Sequence, residues 1–174
     1  MNTKLIERTQ TGVRLEKSLL KVLKGLAEYC EITLGDLLEG IVLHTDAAVR
    51  AIEPDIFKGQ DLKGKAVLIH SGWDSHWGTG RYFEGHPFLT RAAADYLTSA
   101  GAVLVGIDSL NIDDNMDGTR PAHTILLGAG IPIVEHLCNL GELPDSGFKF
   151  FAVPAPIKGM GSFRVRAFAI INPP

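Results

Sequence analysis

One histidine and one glutamate have the residue types and the spacing of metal ligands in this chain. His123 ends an Arg-Pro-Ala-His run, and Glu135 ends an Ile-Pro-Ile-Val-Glu run twelve residues later. The stretch between them is apolar and rich in glycine, and an unpaired carboxylate is costly to bury in such surroundings. Imidazole and carboxylate groups both bind divalent ions such as zinc. The pair predicts half of a metal site, because catalytic zinc normally takes three protein ligands and a water.

The loop after a predicted strand holds a dense group of aromatic and titratable side chains, namely His70, Trp73, Asp74, His76 and Trp77. The spacing of the two histidines and the aspartate permits metal binding. The two tryptophans favour a substrate pocket or an oligomer interface, and packing in the core is the remaining interpretation. We place Trp73 and Trp77 beside a substrate pocket as a hypothesis.

A second polar loop contains Asp108, Asn111, Asp113 and Asp114. Oxygen ligands of this kind bind calcium in EF-hand loops. Here the EF-hand spacing and its terminal glutamate are missing. We therefore expect a solvated loop rather than a calcium site.

From about residue 51, strand and helix patterns alternate along the chain. Thr90 is expected to cap one helix, and Gly101 is expected to end it in the left-handed conformation. Pro132 places its strand at an edge of the sheet or at a strand start. The predicted strands span 66–70, 102–107, 131–134, 148–153 and 163–171, and the predicted helices span 91–99 and 122–127. This order predicts an α/β fold that ends in antiparallel strands.

Residues 1–48 have a different pattern, which predicts a separate strand-helix-helix segment before the domain at 51–174. A weakly alternating strand at 9–15 precedes one helix, and Thr33 is a plausible N-cap of a second. The apolar side of the second helix is predicted from Leu34, Leu37, Leu38, Ile41 and Val42, followed by His44. The segment resembles a ribbon-helix-helix module, which dimerises through its strand and reads DNA with it. A helical hairpin for dimerisation or packing is the alternative interpretation.

Composition limits the classes of protein that this chain can be. Its 174 residues suffice for one compact domain and a small appendage. A hydrophobic content of 45% is typical of globular proteins, and a net charge of −3 makes nucleic acid an unlikely partner. The two cysteines form no Cys-x-x-Cys motif, which indicates reduced thiols and a cytoplasmic location. No apolar run approaches the roughly 18 residues of a membrane span, and no signal peptide is expected.

Several motifs after residue 51 resemble the cyclase family of metal-dependent hydrolases, which includes kynurenine formamidase (arylformamidase). The matching stretches are 62–74, 77–83, 86–89, 106–113, 123–135 and 150–154. The resemblance implies an α/β fold with a mixed, barrel-like sheet and flanking helices, assembled as a homodimer or higher oligomer. It also implies that His123 and Glu135 bind a divalent metal, zinc or manganese. The implied substrate is a small amide or lactone.

The chain departs from that family in one motif. The family takes its other ligands from a His-x-Gly-Thr-His-x-Asp motif, and no such motif occurs here. The nearest match is His44-Thr-Asp46, and we expect these residues at a helix end rather than in the metal site. The resemblance implies hydrolysis of C–N amide bonds, impaired if the missing ligands are not replaced. The alternatives are a catalytically inactive oligomerising or ligand-binding relative, or a DNA-binding regulator acting through residues 1–48.

Overall fold

The computed structural model describes residues 38–46, 48–153, 161–162 and 164–171, which contain eight strands and two α-helices. The strands are β1 (Leu38–His44), β2 (Ala51–Ile52), β3 (Lys65–His70), β4 (Phe88–Leu89), β5 (Leu104–Ile107), β6 (Ile133–Val134), β7 (Phe148–Val153) and β8 (Arg166–Ile171). The α-helices are α1 (Arg91–Ser99) and α2 (Pro121–Gly128). Short 3-10 helices lie at Pro54–Phe57, Trp73–His76, Gly80–Phe83 and Leu140–Glu142.

Six strands form one mixed sheet in the order β6-β5-β3-β1-β7-β8. The four strands from β6 to β1 are parallel, and β7 and β8 continue the sheet in antiparallel pairing. Residues 66–69 of β3 are all buried, as is usual for a parallel strand covered on both faces. The predicted α/β fold with a mixed, barrel-like sheet and flanking helices is confirmed, and so are the antiparallel strands at its end.

Each face of the sheet packs against its own hydrophobic cluster. On β1, Ile41 and Leu43 enter the cluster that α1 and α2 cover, whereas Val42 enters the cluster on the opposite face. This alternation follows from the two-residue period of a strand. The second cluster contains Leu68 of β3 and Phe148 of β7. The sheet is therefore a layer between two hydrophobic cores. The polar side chains lie at the ends of the strands and in the loops that follow them.

The two helices begin and end close to where the sequence places them. The Thr90 hydroxyl accepts a hydrogen bond from the Ala93 N–H at 3.2 Å, and Gly101 has a φ of +78°. Helix α2 starts with Pro121, and the preceding residue, Arg120, is left-handed with a φ of +46°. Within the described ranges, no helix is both long enough and apolar enough to cross a bilayer.

The second helix predicted for the N-terminal segment is wrong over residues 38–44, which form strand β1. Its apolar side chains are buried on both faces of a central strand, so the run shows no clear period that distinguishes helix from strand. The β-branched Ile41 and Val42 fit a strand well. His44 therefore ends a strand rather than a helix. The rest of the predicted strand-helix-helix segment, residues 1–37, lies outside the described residues.

Gly40 lies on β1 beneath the ring of Phe148 from β7. It pairs with Phe148 in the antiparallel register, and a Cβ atom at residue 40 would stand 1.9 Å from Cε2 of the Phe148 ring. Ordinary carbon contacts are about 3.5–4.0 Å. Only glycine fits at this position while the phenylalanine keeps its place.

Candidate metal centre

Polar side chains gather at the carboxyl ends of the parallel strands. His44 and His70 are the last residues of β1 and β3 and are register partners. Asp108 follows β5 directly, and Glu135 follows β6. Because the carboxyl ends of parallel strands lie at one edge of a sheet, that edge is the usual place for a binding site in open α/β proteins.

The two predicted ligands, His123 and Glu135, face each other across this edge. His123 lies in the first turn of α2, and its Nε2 atom is 3.6 Å from Oε1 of Glu135. Two ligand atoms that each lie about 2.0–2.2 Å from a tetrahedral zinc are separated by about 3.4 Å. The observed spacing therefore fits two ligands of one metal ion, with little movement required. Oε1 of Glu135 also accepts a hydrogen bond from the Ile112 N–H at 2.8 Å, which fixes the carboxylate.

A buried carboxylate supports the other side of the His123 ring. Oδ2 of Asp113 lies 2.7 Å from Nδ1 of His123, and the Asp113 side chain is only 1% exposed. The prediction of a solvated loop is thus wrong for Asp113, and it is also wrong for Asp108, which is fully buried. A carboxylate behind the second nitrogen is the common support of a metal-binding histidine. The polar composition of this loop suggested that its side chains are exposed. The two carboxylates are instead buried, because neighbouring N–H groups donate hydrogen bonds to them.

A cation lies next to the same imidazole. The Nη2 atom of Arg120 is 2.9 Å from Nε2 of His123 and 3.2 Å from Nδ1. Glu135 could form an ion pair with Arg120 or His136 instead of binding a metal ion. Among the described residues, neither ion pair is formed. Glu135 instead faces Nε2 of His123 at 3.6 Å.

A second group of possible metal-binding atoms lies at the ends of β3 and β5. One ligand atom each from His70, Asp74 and Asp108 lies within 4.8 Å of the others. The sequence pointed to the first two of these residues but paired them with His76 instead of Asp108. Asp108 is 38 residues away from His70 in the chain, so spacing alone gives no signal for it.

Asp108 is already heavily engaged by the turn that follows β3. Its carboxylate accepts hydrogen bonds from the Ser71 N–H, the Ser71 hydroxyl and the Gly72 N–H. Burial raises the pKa of the Asp108 carboxyl, and these hydrogen bonds oppose the shift. A carboxylate has about four lone-pair sites, so little capacity remains for a metal ion. His123 and Glu135 are the other candidate pair, and there a charged donor, Nη2 of Arg120, lies 2.9 Å from Nε2 of His123.

The residues that match the tail of the family motif are engaged elsewhere. Nδ1 of His44 is 2.8 Å from Nδ1 of His70, and Nε2 of His44 is 3.2 Å from Oδ1 of Asp145. Asp46 is exposed and accepts a hydrogen bond from the Ala48 N–H. Counting back four residues from His44 puts the first histidine of the motif at Gly40. A histidine there would overlap the ring of Phe148.

The two tryptophans have different surroundings. Trp73 is buried, and its indole N–H donates to the Tyr82 carbonyl oxygen at 3.0 Å. Trp77 is 55% exposed and packs edge-on against the rings of Tyr82 and His136. The Tyr82 hydroxyl is 2.9 Å from Nδ1 of His136, which follows Glu135 in the chain. Their role in a substrate pocket stays a prediction.

The sequence of this chain matches known proteins over part of its length. The family described as putative cyclase matches residues 31–114. Kynurenine formamidase of Bacillus cytotoxicus is 30% identical over 99 residues, which cover 57% of this chain and 46% of that protein. The chain is related to the cyclase family. It spans about half the length of the curated relatives that it matches, with 53% and 46% covered.

Solved structures agree with the cyclase relationship. An isatin hydrolase bound to the product analogue thioisatinate has a TM-score of 0.72 at 23% identity, covering 80% of this chain and 62% of that one. A protein of Bacillus stearothermophilus described as a predicted metal-dependent hydrolase has a TM-score of 0.60 at 27% identity, covering 79% and 66%. The first likeness concerns the fold alone. The relationship inferred from the sequence motifs, and its restriction to part of the family's length, are confirmed.

Proposed function

We propose that this chain is a metal-dependent hydrolase of C–N amide bonds, similar in activity to an arylformamidase. The observation that carries the proposal is the 3.6 Å approach of Nε2 of His123 to Oε1 of Glu135. Its position at the carboxyl edge of a cyclase-like sheet supports the same conclusion. The proposed substrate is a small amide or lactone, and the proposed metal is zinc or manganese.

Each residue of the centre has a definite task in this proposal. His123 and Glu135 bind the ion, and the Ile112 N–H holds the glutamate in place. When bound, a divalent ion polarises a carbonyl group and lowers the pKa of a water towards about 7. The Arg120 guanidinium lies 2.9 Å from Nε2 of His123, so it would have to leave this nitrogen for an ion to bind there. No acid–base residue is assigned among the described residues.

Two protein ligands are fewer than a catalytic zinc normally has. We propose that the chain works as a homodimer or higher oligomer, in which a neighbouring subunit supplies the remaining donors. Size-exclusion chromatography with light scattering, with and without zinc, tests it. A monomer that nevertheless hydrolyses substrate would refute it.

Hydrolysis of N-formylkynurenine in the presence of zinc or manganese tests the activity itself. We expect turnover that falls at least about 100-fold in His123→Ala and in Glu135→Gln, because each removes a metal ligand. Glu84→Gln is the matched control, since Glu84 is exposed and lies outside the centre. Absence of turnover with either metal, or equal turnover in the ligand variants, would reject the proposal.

A catalytically inactive ligand-binding protein is the second candidate function. Gly40 favours it, because the Phe148 ring fills the space that the first histidine of the family motif needs. Metal analysis separates the two candidates. Less than about 0.1 equivalent of metal after reconstitution supports the inactive protein, and about one equivalent per site supports the hydrolase.

A further inference from the structure

Asp113 lies on the side of the His123 ring away from Glu135, with Oδ2 2.7 Å from Nδ1 of His123. We propose that Asp113 is a positioning residue that keeps the proton of His123 on Nδ1 and leaves the Nε2 lone pair directed at Glu135. The inference rests on the proposed function for its purpose, since a metal ion would bind at Nε2. The position of the proton follows from the contacts of Asp113 alone.

Three donors converge on the two oxygens of Asp113. Oδ1 accepts the Ala122 N–H at 2.6 Å, and Oδ2 accepts the His123 N–H at 3.1 Å and faces Nδ1 of the same residue at 2.7 Å. The two backbone bonds, from the first turn of α2, prevent the carboxylate from rotating. An ionised carboxylate only accepts hydrogen bonds. Nδ1 must therefore be the donor, and the neutral ring then carries its lone pair on Nε2.

The contacts of Nε2 agree with this assignment. The 3.6 Å separation from Oε1 of Glu135 is longer than a hydrogen bond, and that oxygen is already occupied by the Ile112 N–H. Arg120 can only donate, and its Nη2 atom is closer to Nε2 than to Nδ1. An acceptor on His123 and an acceptor on Glu135 thus face each other, with a guanidinium beside them. That is the arrangement a divalent cation would complete.

Nitrogen-15 NMR of the metal-free, wild-type protein tests the tautomer directly. The six histidines are labelled in the ring, and His123 is assigned from the signals missing in His123→Gln. The pH is raised until the imidazole is neutral. We expect His123 to be protonated on Nδ1, and to lose that preference in Asp113→Ala. Protonation of wild-type His123 on Nε2 would overturn the proposal without any need for a variant to fold.

Zinc titration calorimetry gives a second readout. We expect Asp113→Ala to bind zinc about 10–100-fold more weakly than wild type. Asp117→Ala is the control, because the Asp117 carboxylate accepts hydrogen bonds from Thr119 in its own turn, and the zinc affinity of this variant should stay within about twofold. Equal affinity in Asp113→Ala and wild type would overturn the positioning role. A protein that shows the expected tautomer and binds zinc but hydrolyses no formamide would refute the proposed function and leave the role of Asp113 intact.

Discussion

Replacing Gly40 with alanine should destabilise the fold through one overlap. The added Cβ would lie 1.9, 2.4 and 2.7 Å from three ring atoms of Phe148, and that ring is only 1% exposed, so it has no free space to enter. Overpacking of this kind costs about 1–3 kcal/mol. Phe148→Ala should cost about 3–5 kcal/mol through its cavity. Both fit within a typical stability of about 5–15 kcal/mol.

The double variant distinguishes this overlap from a general weakness of the strand. The cavity left by the missing ring accepts the methyl group, so Gly40→Ala with Phe148→Ala should be about as stable as Phe148→Ala alone. The expected coupling is about 1–3 kcal/mol, measured by urea unfolding of the four proteins. Gly128→Ala, in open space at the end of α2, should instead be neutral or stabilise by up to about 1 kcal/mol. Additivity within about 0.5 kcal/mol would refute the reasoning.

Three further predictions concern the rest of the fold. Phe57→Ala should cost about 3–5 kcal/mol because the side chain is fully buried, whereas Phe83→Ala, at 65% exposure, should change stability by less than about 0.5 kcal/mol; similar urea midpoints would contradict this. Thr90→Ala should cost about 1 kcal/mol by removing the cap of α1, and Thr90→Ser should restore most of it. Burial, and to a smaller extent the charge of Asp74, raises the pKa of the Cys138 thiol, so its stabilising contribution is complete below the unfolded pKa and is lost as pH rises through the folded pKa. Mass spectrometry should therefore find slower alkylation of Cys138 near pH 8 in the native than in the denatured protein, and equal rates would count against it.

Local signals in the sequence were sufficient to predict where the two helices lie and which two side chains, His123 and Glu135, come close together. Thr90 and Gly101 mark the ends of α1 through hydrogen bonding and a positive φ, which depend on neighbouring residues only. His123 and Glu135 are joined by one helix and one short strand, so their spacing in sequence translates into proximity.

Features that depend on distant residues could not be found in this way. Strand β1 is apolar on both faces because α1 lies on one side and Phe148 on the other, and its sequence alone does not distinguish that from a buried helix. Asp108 and Asp113 occur in a polar stretch that reads as a surface loop. Their burial depends on donors contributed by the turn after β3 and by the start of α2.

Among the residues that the structure describes, strand β6 has two residues and pairs only with β5. Glu135 follows it directly, so a proposed ligand is attached to a short edge strand of the parallel part of the sheet. Local opening of such an edge needs less free energy than global unfolding. Local opening of β6 would then determine the rate at which a bound ion dissociates. An ion bound by both Glu135 and His123 would in turn stabilise β6 against α2. Amide hydrogen exchange at Ile133 and Val134 would register that coupling as protection gained with metal.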